Sequence, residues 1–129
     1  MSSAAAKKVR PKYLNLRALL FEIRQSVPAW VSILHRISGA LLVFPFAAWL
    51  LYMLDHSLGS EQAFQEVADY LRLPLVKLGM LLFIWAFSHH LCAGIRFLVL
   101  DLNRGIELAP ARRSAVAVLV ASLALTAFF

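Results

Sequence analysis

The run Leu78-Gly79-Met80-Leu81-Leu82-Phe83-Ile84-Trp85-Ala86-Phe87-Ser88-His89-His90-Leu91-Cys92-Ala93-Gly94-Ile95 contains no Asp, Glu, Lys or Arg. As a helix its residues cover about 27 Å, close to the hydrocarbon thickness of a bilayer. The stretch therefore reads as a transmembrane helix. Its exceptions are His89 and His90, near one end. An ionisable side chain at that depth is costly and marks a functional site facing other protein. Neutral imidazole is also a common metal ligand. The expectation is that one of these histidines binds a metal cofactor within the membrane.

Outward from that run, the chain of 129 residues is 61% hydrophobic and 16% charged, with a net charge of +6. A soluble domain is usually less than half apolar, and here the excess is gathered into three blocks. The fold class is all-α membrane protein, with three transmembrane helices. The positive charge by itself would suggest nucleic acid, but its placement argues against that partner. Eleven of the thirteen Lys and Arg residues lie in the first 36 residues or from Arg96 to Arg113. The loop between the first two blocks instead carries Asp55, Glu61, Glu66 and Asp69 against Arg72, with Lys77 just beyond. That asymmetry is the positive-inside pattern, and it predicts a cytoplasmic N-terminus and second loop. Cys92 is the only cysteine, which excludes an internal disulfide and a Cys-based zinc site. Met1 to Arg10 is polar and basic with no apolar segment directly after it, so no secretory signal is read.

In chain order, residues 1–29 read as a cytoplasmic segment and 30–129 as the transmembrane domain, with spans at about 30–54, 74–100 and 113–129. Leu16, Leu19, Leu20, Ile23 and Val27 recur at helical spacing opposite Arg17, Glu22, Arg24 and Gln25. They predict a short N-terminal amphipathic helix on the membrane surface, capped by Asn15 and ended by Pro28. Pro45 falls in mid-span and should kink or loosen the first helix. Phe64, Val67, Ala68 and Leu71 suggest one amphipathic turn in the outer loop. Pro74 is a favourable first residue for the second span. The third block, about sixteen residues, is slightly short for a bilayer and reads as packing only.

Ser32 and Arg36 share a helix face, with His35 beside them. On the second span His90, Gly94 and Asp101 lie along one stripe, while His89 stands about 100° away. Gly94 and Gly39 each remove a side chain where a flat group could press on the backbone. His90 lies about 9 Å above the level of Arg96, a separation that suits a macrocycle with iron in the membrane and acid groups at the basic surface. A hydroxyl and a guanidinium on one face suit a carbonyl oxygen of an amphipathic ligand. The same residues also admit plainer roles. An intramembrane histidine can hydrogen-bond a neighbouring helix, Gly94 can serve helix packing, and Arg36 can reach lipid phosphate.

Ser32-Ile33-Leu34-His35-Arg36-Ile37-Ser38-Gly39, preceded by Arg10-Pro11 and Leu14-Asn15-Leu16, resembles the signature of the cytochrome b large membrane-anchor subunits of succinate dehydrogenase, respiratory complex II. A second signature is met by His90, Gly94, Ile95, Arg96 and Asp101. The resemblance implies a non-catalytic-for-succinate subunit that binds haem b together with a second small membrane anchor. It implies an iron-sulfur subunit and a flavoprotein subunit as further partners, in the lipid bilayer of a bacterial inner membrane. Electrons from succinate, a step of the tricarboxylic acid cycle, would pass through flavin and iron-sulfur clusters to ubiquinone.

The family's haem-iron ligand carries over to His90, its haem contacts to His35, Arg36 and Gly94, and its quinone site to Ser32, Arg36 and Ile33. The spacing to Gly-Ile-Arg selects His90 over His89. Leu100 stands where the family prefers an aromatic residue or Met, and Asn103 where it prefers a small one. The competing reading within the same family is a haemless anchor of fumarate reductase type, its histidines only packing or binding quinone. A small transporter is disfavoured, because the sequence shows no inverted repeat.

Overall fold

The proline that interrupts the first span does not break it. The computed structural model describes Arg17 and residues 24–129, and the first span is one continuous rod from Val27 to Ser57. It consists of α1 (Val27–Leu41), a π-helical turn (Leu42–Phe46) and α2 (Ala47–Ser57). Pro45 has no N–H to donate, and its ring would strike the carbonyl four residues back. Widening the helix over this stretch relieves the clash. The Ala47 N–H then donates to the carbonyl of Leu42, which keeps backbone groups paired where no water can reach them.

At the start of α1, Ser26 is extended and Pro28 sits in the first turn, where a missing N–H costs nothing. Val27, expected as the last apolar position of a surface helix, is the first residue of α1. The rest of that expected surface helix, apart from Arg17 and residues 24–26, lies outside the described residues.

The expected amphipathic turn in the outer loop is a full helix, α3 (Glu61–Arg72). Ser60 caps it, its hydroxyl accepting from the Ala63 N–H at 3.1 Å. Glu61 in the first turn and Arg72 in the last oppose the helix dipole. Val67 is its buried position, and His56 approaches Glu66 at 3.4 Å to link α2 to α3. Leu73 is extended ahead of Pro74, as a residue before proline prefers, and α4 (Pro74–Asp101) follows at once.

After α4 the chain reverses through Asn103 and Gly105, with φ of 57° and 72°. Asparagine tolerates that left-handed conformation better than most residues, which gives Asn103 a local backbone role. The last helix, α5 (Leu108–Phe128), opens inside the stretch read as a basic loop. Its charged first turns extend it to about 32 Å, enough to cross. Among the described residues there is no strand. Among the described residues, the first rod, α4 and α5 are the helices long and apolar enough to span a membrane.

These rods run alternately up and down, and α1, α4 and α5 pack around Val31, Ala93, Ala115 and Val118, flanked by Cys92, Phe97 and Leu119. Small side chains dominate this core. In lipid there is no water to expel between helices, so close van der Waals approach and interhelical hydrogen bonds must hold them. The large side chains face out instead: Phe44, Leu51, Leu75, Leu98 and Phe128 are all exposed. Ser38 and Ser122 are fully buried, and each returns its hydroxyl proton to a carbonyl of its own helix, His35 at 3.0 Å and Leu119 at 3.0 Å.

A polar bridge joins α4 to α5. Arg96 of α4 is only 7% exposed. Its Nε donates to Ser114 Oγ at 3.0 Å and its Nη2 to the Ala111 carbonyl at 3.3 Å. Counted in the sequence among the basic residues from Arg96 to Arg113, it ties the end of α4 to the start of α5. Arg96→Met should lower the stability of the subunit in detergent by about 1–2 kcal/mol, the scale of interhelical hydrogen bonds in membranes. Arg96→Lys should recover little of it, because an ammonium does not reproduce the guanidinium fork. Thermal unfolding of the purified protein, with hydrogen exchange at the start of α5, measures both.

Candidate functional site

The site is built where the opening turns of α1 cross the closing turns of α4. The helices are antiparallel, so His35 of α1 lies level with Gly94 of α4, and His90 of α4 level with Gly39 of α1. A Cβ added at Gly39 would come within 2.8 Å of His90 Cε1 and 3.2 Å of its Nδ1. No real Cβ can stand there, so the imidazole rests directly on the bare backbone of α1. At Gly94 the equivalent atom would meet His35 Nε2 at 3.7 Å, an ordinary contact. The two rings stack on each other, centroids 4.2 Å apart and planes 11° from parallel. Phe97 lies tilted against His35 at 5.1 Å.

His90 Nδ1 is 3.1 Å from the His35 carbonyl oxygen and 3.4 Å from Ser38 Oγ. A carbonyl can only accept, so this contact requires the proton on Nδ1. In the neutral ring Nε2 then carries the lone pair. Nε2 makes no hydrogen bond with a described residue, and it is not among the buried polar atoms lacking a partner. Metal-bound histidines are commonly held in this way, one nitrogen donating to a carbonyl while the other faces the metal.

The structure therefore brings together His35, His90, Gly39 and Gly94, all on the rim of the α1–α4 crossing. Ser32 and Arg36 lie farther round α1, about 60° and 100° from His35. Ser32 and Ile33 are half-buried and Arg36 is exposed. Neither Ser32 nor Arg36 hydrogen-bonds or ion-pairs with another described residue, which leaves a hydroxyl and a guanidinium one turn apart beside the histidine pair.

His89 takes a different place. It is fully buried, stacked on Trp85 at 5.5 Å, and turned into the bundle on the same face as Arg96. Neither of its ring nitrogens finds a hydrogen-bond partner among the described residues; the Val31 backbone faces the ring without reaching bonding geometry. The buried polar seam of His89 and Arg96 escaped the sequence reading. Its signal was present, because Ala86, His89, Ala93 and Arg96 recur at alternating spacings of three and four, with alanine where helices must approach closely.

The larger clefts do not coincide with these residues. One of about 460 Å³ lies toward the acidic end, lined by Phe46, Trp49, Met53, Phe83, Phe87 and Phe129 among others. Another of about 740 Å³ lies between α4 and α5, lined by Leu75, Leu78, Trp85 and Leu123 among others. Both are almost wholly apolar, and no titratable side chain lines them.

The model of the family described as succinate dehydrogenase/fumarate reductase transmembrane subunit matches residues 8–129. The chain is also similar to the succinate dehydrogenase cytochrome b556 subunit of Rickettsia typhi, 28% identical over 105 residues, covering 80% of this chain and 79% of that one. The protein of the same description from Rickettsia prowazekii is 27% identical over 108 residues, covering 80% and 79%.

The two glycines should respond differently to the same change. Gly39→Ala must push His90 aside or part the helices, and should destabilise by about 1–3 kcal/mol, as overpacking does. Gly94→Ala has room for its methyl group and gains helix propensity, so it should be neutral or stabilising by up to about 1 kcal/mol. Thermal unfolding of both variants in detergent gives the comparison.

Proposed function

Because the chain belongs to the succinate dehydrogenase/fumarate reductase transmembrane-subunit family, we propose that it is the membrane anchor through which a succinate:quinone oxidoreductase holds haem b and meets ubiquinone. The observation that carries this reading is the Nδ1–His35 carbonyl contact, which leaves Nε2 of His90 as the free donor atom. Among the described residues no group of three or more His, Cys, Asp or Glu could hold a bare ion. A haem needs only axial protein ligands, because the porphyrin supplies the others. The donor set fits the group.

Haem, when bound, supplies a one-electron carrier within the membrane. The protein's part is to fix the ligand. Gly39 lets the His90 ring lie against α1, His35 covers its face, and Gly94 leaves the neighbouring turn open. Arg36 and His35 stand on the basic side, suited to the acid groups of the macrocycle.

Stacked face to face at 4.2 Å, the imidazoles of His35 and His90 cannot bind one iron from opposite sides, since each would have to meet it edge-on through a nitrogen. A further ligand to the iron would then be supplied by the second small anchor that the family resemblance implies. The basic loop and the N-terminal segment are the parts that would meet the iron-sulfur subunit, itself joined to the flavoprotein.

Ser32 and Arg36 would bind the quinone head, with Ile33 beside them. A hydroxyl donor and a fixed cation stabilise charge that grows on a quinone oxygen during reduction. Arg36 is exposed and Ser32 half-buried on the flank of the bundle, so a quinone can approach laterally while its tail remains among apolar side chains.

His90→Ala in the assembled complex should reduce haem content to near background, read from the reduced optical spectrum. A complex without a b-type band in its unaltered form would favour the haemless anchor instead. Ser32→Ala and Arg36→Ala should each lower quinone reduction on the order of a hundredfold, the lower end of the scale for losing one charge-stabilising donor. Succinate oxidation by artificial acceptors should persist in both. Unchanged quinone turnover in both variants refutes the assignment of that site.

A further inference from the structure

We propose that Ser38 is a positioning residue for His90, fixing both the proton on Nδ1 and the plane of the imidazole. The inference rests on the reading of His90 as the haem ligand and adds to it a residue so far given no role.

Ser38 is fully buried and lies one turn from His35 on the same helix. Its Oγ donates to the His35 carbonyl at 3.0 Å and stands 3.4 Å from His90 Nδ1. The order of protons follows from these contacts. The Ser38 hydroxyl proton is committed to the carbonyl, so toward His90 the serine oxygen presents only lone pairs. The carbonyl likewise only accepts. Nδ1 thus faces two acceptors and no donor, and the tautomer with its lone pair on Nδ1 is excluded. Nε2 is left free to bind a metal without a change of tautomer.

The same contacts limit rotation. A single acceptor would hold Nδ1 while allowing the ring to swing about it. Here Ser38 Oγ and the His35 carbonyl share the N–H, the His35 ring covers one face at 4.2 Å, and Gly39 forms the floor. Orientation and basicity of an axial imidazole both depend on such outer contacts. Acceptors on Nδ1–H make the ring a stronger donor, which favours ferric over ferrous iron.

The test uses the whole complex with Ser38→Ala and Ser38→Thr, alongside His90→Ala. Haem-to-flavin ratio, the low-spin haem signal in electron paramagnetic resonance and the haem midpoint potential are measured. Ser38→Ala should shift the low-spin signal and raise the potential while haem is retained. Ser38→Thr, which restores a hydroxyl, should return both toward the unaltered complex. If Ser38→Ala leaves signal and potential unchanged, the proposal is overturned. If alanine strips the haem, restoration by threonine supports the proposal; equal loss in both variants means that volume matters and not the hydroxyl, and overturns it. Normal haem in His90→Ala is a separate result, because it removes the ligand assignment beneath the proposal.

Discussion

The approach of the His90 ring to the bare backbone at Gly39 sets the spacing on which the rest of the bundle depends. An imidazole can reach a carbonyl of a facing helix only if no side chain intervenes, and within a hydrocarbon interior an unpaired polar group is costly. Gly39 removes the obstacle, the His35 carbonyl and Ser38 supply the acceptors, and the ring becomes part of the packing. Once α1 and α4 are this close, the positions between them must be small. Ala86 and Ala93 are fully buried, as is Val31 opposite. α5 completes the bundle with a stripe of Ala111, Ala115, Val118 and Ser122, fastened at its start by Arg96.

Two adjacent histidines thus serve different layers. They differ by about 100° around α4, enough to put His90 on the rim and His89 inside. On the rim, polar groups of this chain fix one ring nitrogen and leave the other free. Inside, Arg96 finds two oxygen partners, whereas His89 is held by burial and by the Trp85 ring. The division separates a layer that can meet a ligand from one that holds the helices together.

Much of the architecture was legible in the sequence because membranes impose strong periodic constraints. An uncharged run of eighteen residues, a proline in mid-span and Pro74 at a helix start each have one dominant physical consequence, and the helices follow. The residue clusters on α1 and α4 were legible too, as helical faces. What the sequence did not disclose were the relations between helices. Whether Gly39 faced a ring or lipid depends on rotation and register between distant segments, which no local pattern fixes. For the same reason the sequence placed Arg96 only within a basic stretch, although its partners lie on α5. α3 is longer than the one turn the apolar spacing suggested because Ser60 caps it and Glu61 places a favourable charge in its first turn. Asn103, noted as a departure from the family pattern, has its reason in a left-handed backbone.

The rim location has a consequence for how such a chain is stabilised. The α1–α4 crossing holds polar groups at its rim: one His90 nitrogen paired, one face of its ring covered, the neighbouring guanidinium and hydroxyl without partners among the described residues. In water each unpaired group would be solvated, but at the depth of a membrane span each keeps part of its desolvation cost, about 1–3 kcal/mol for a neutral donor or acceptor. Apolar residues at these positions would pack with less cost. A chain so built gains stability when something outside it binds those groups. On the proposed reading that something is a haem shared with a second anchor and a quinone head, so that binding of cofactor, binding of substrate and assembly draw on the same few polar atoms.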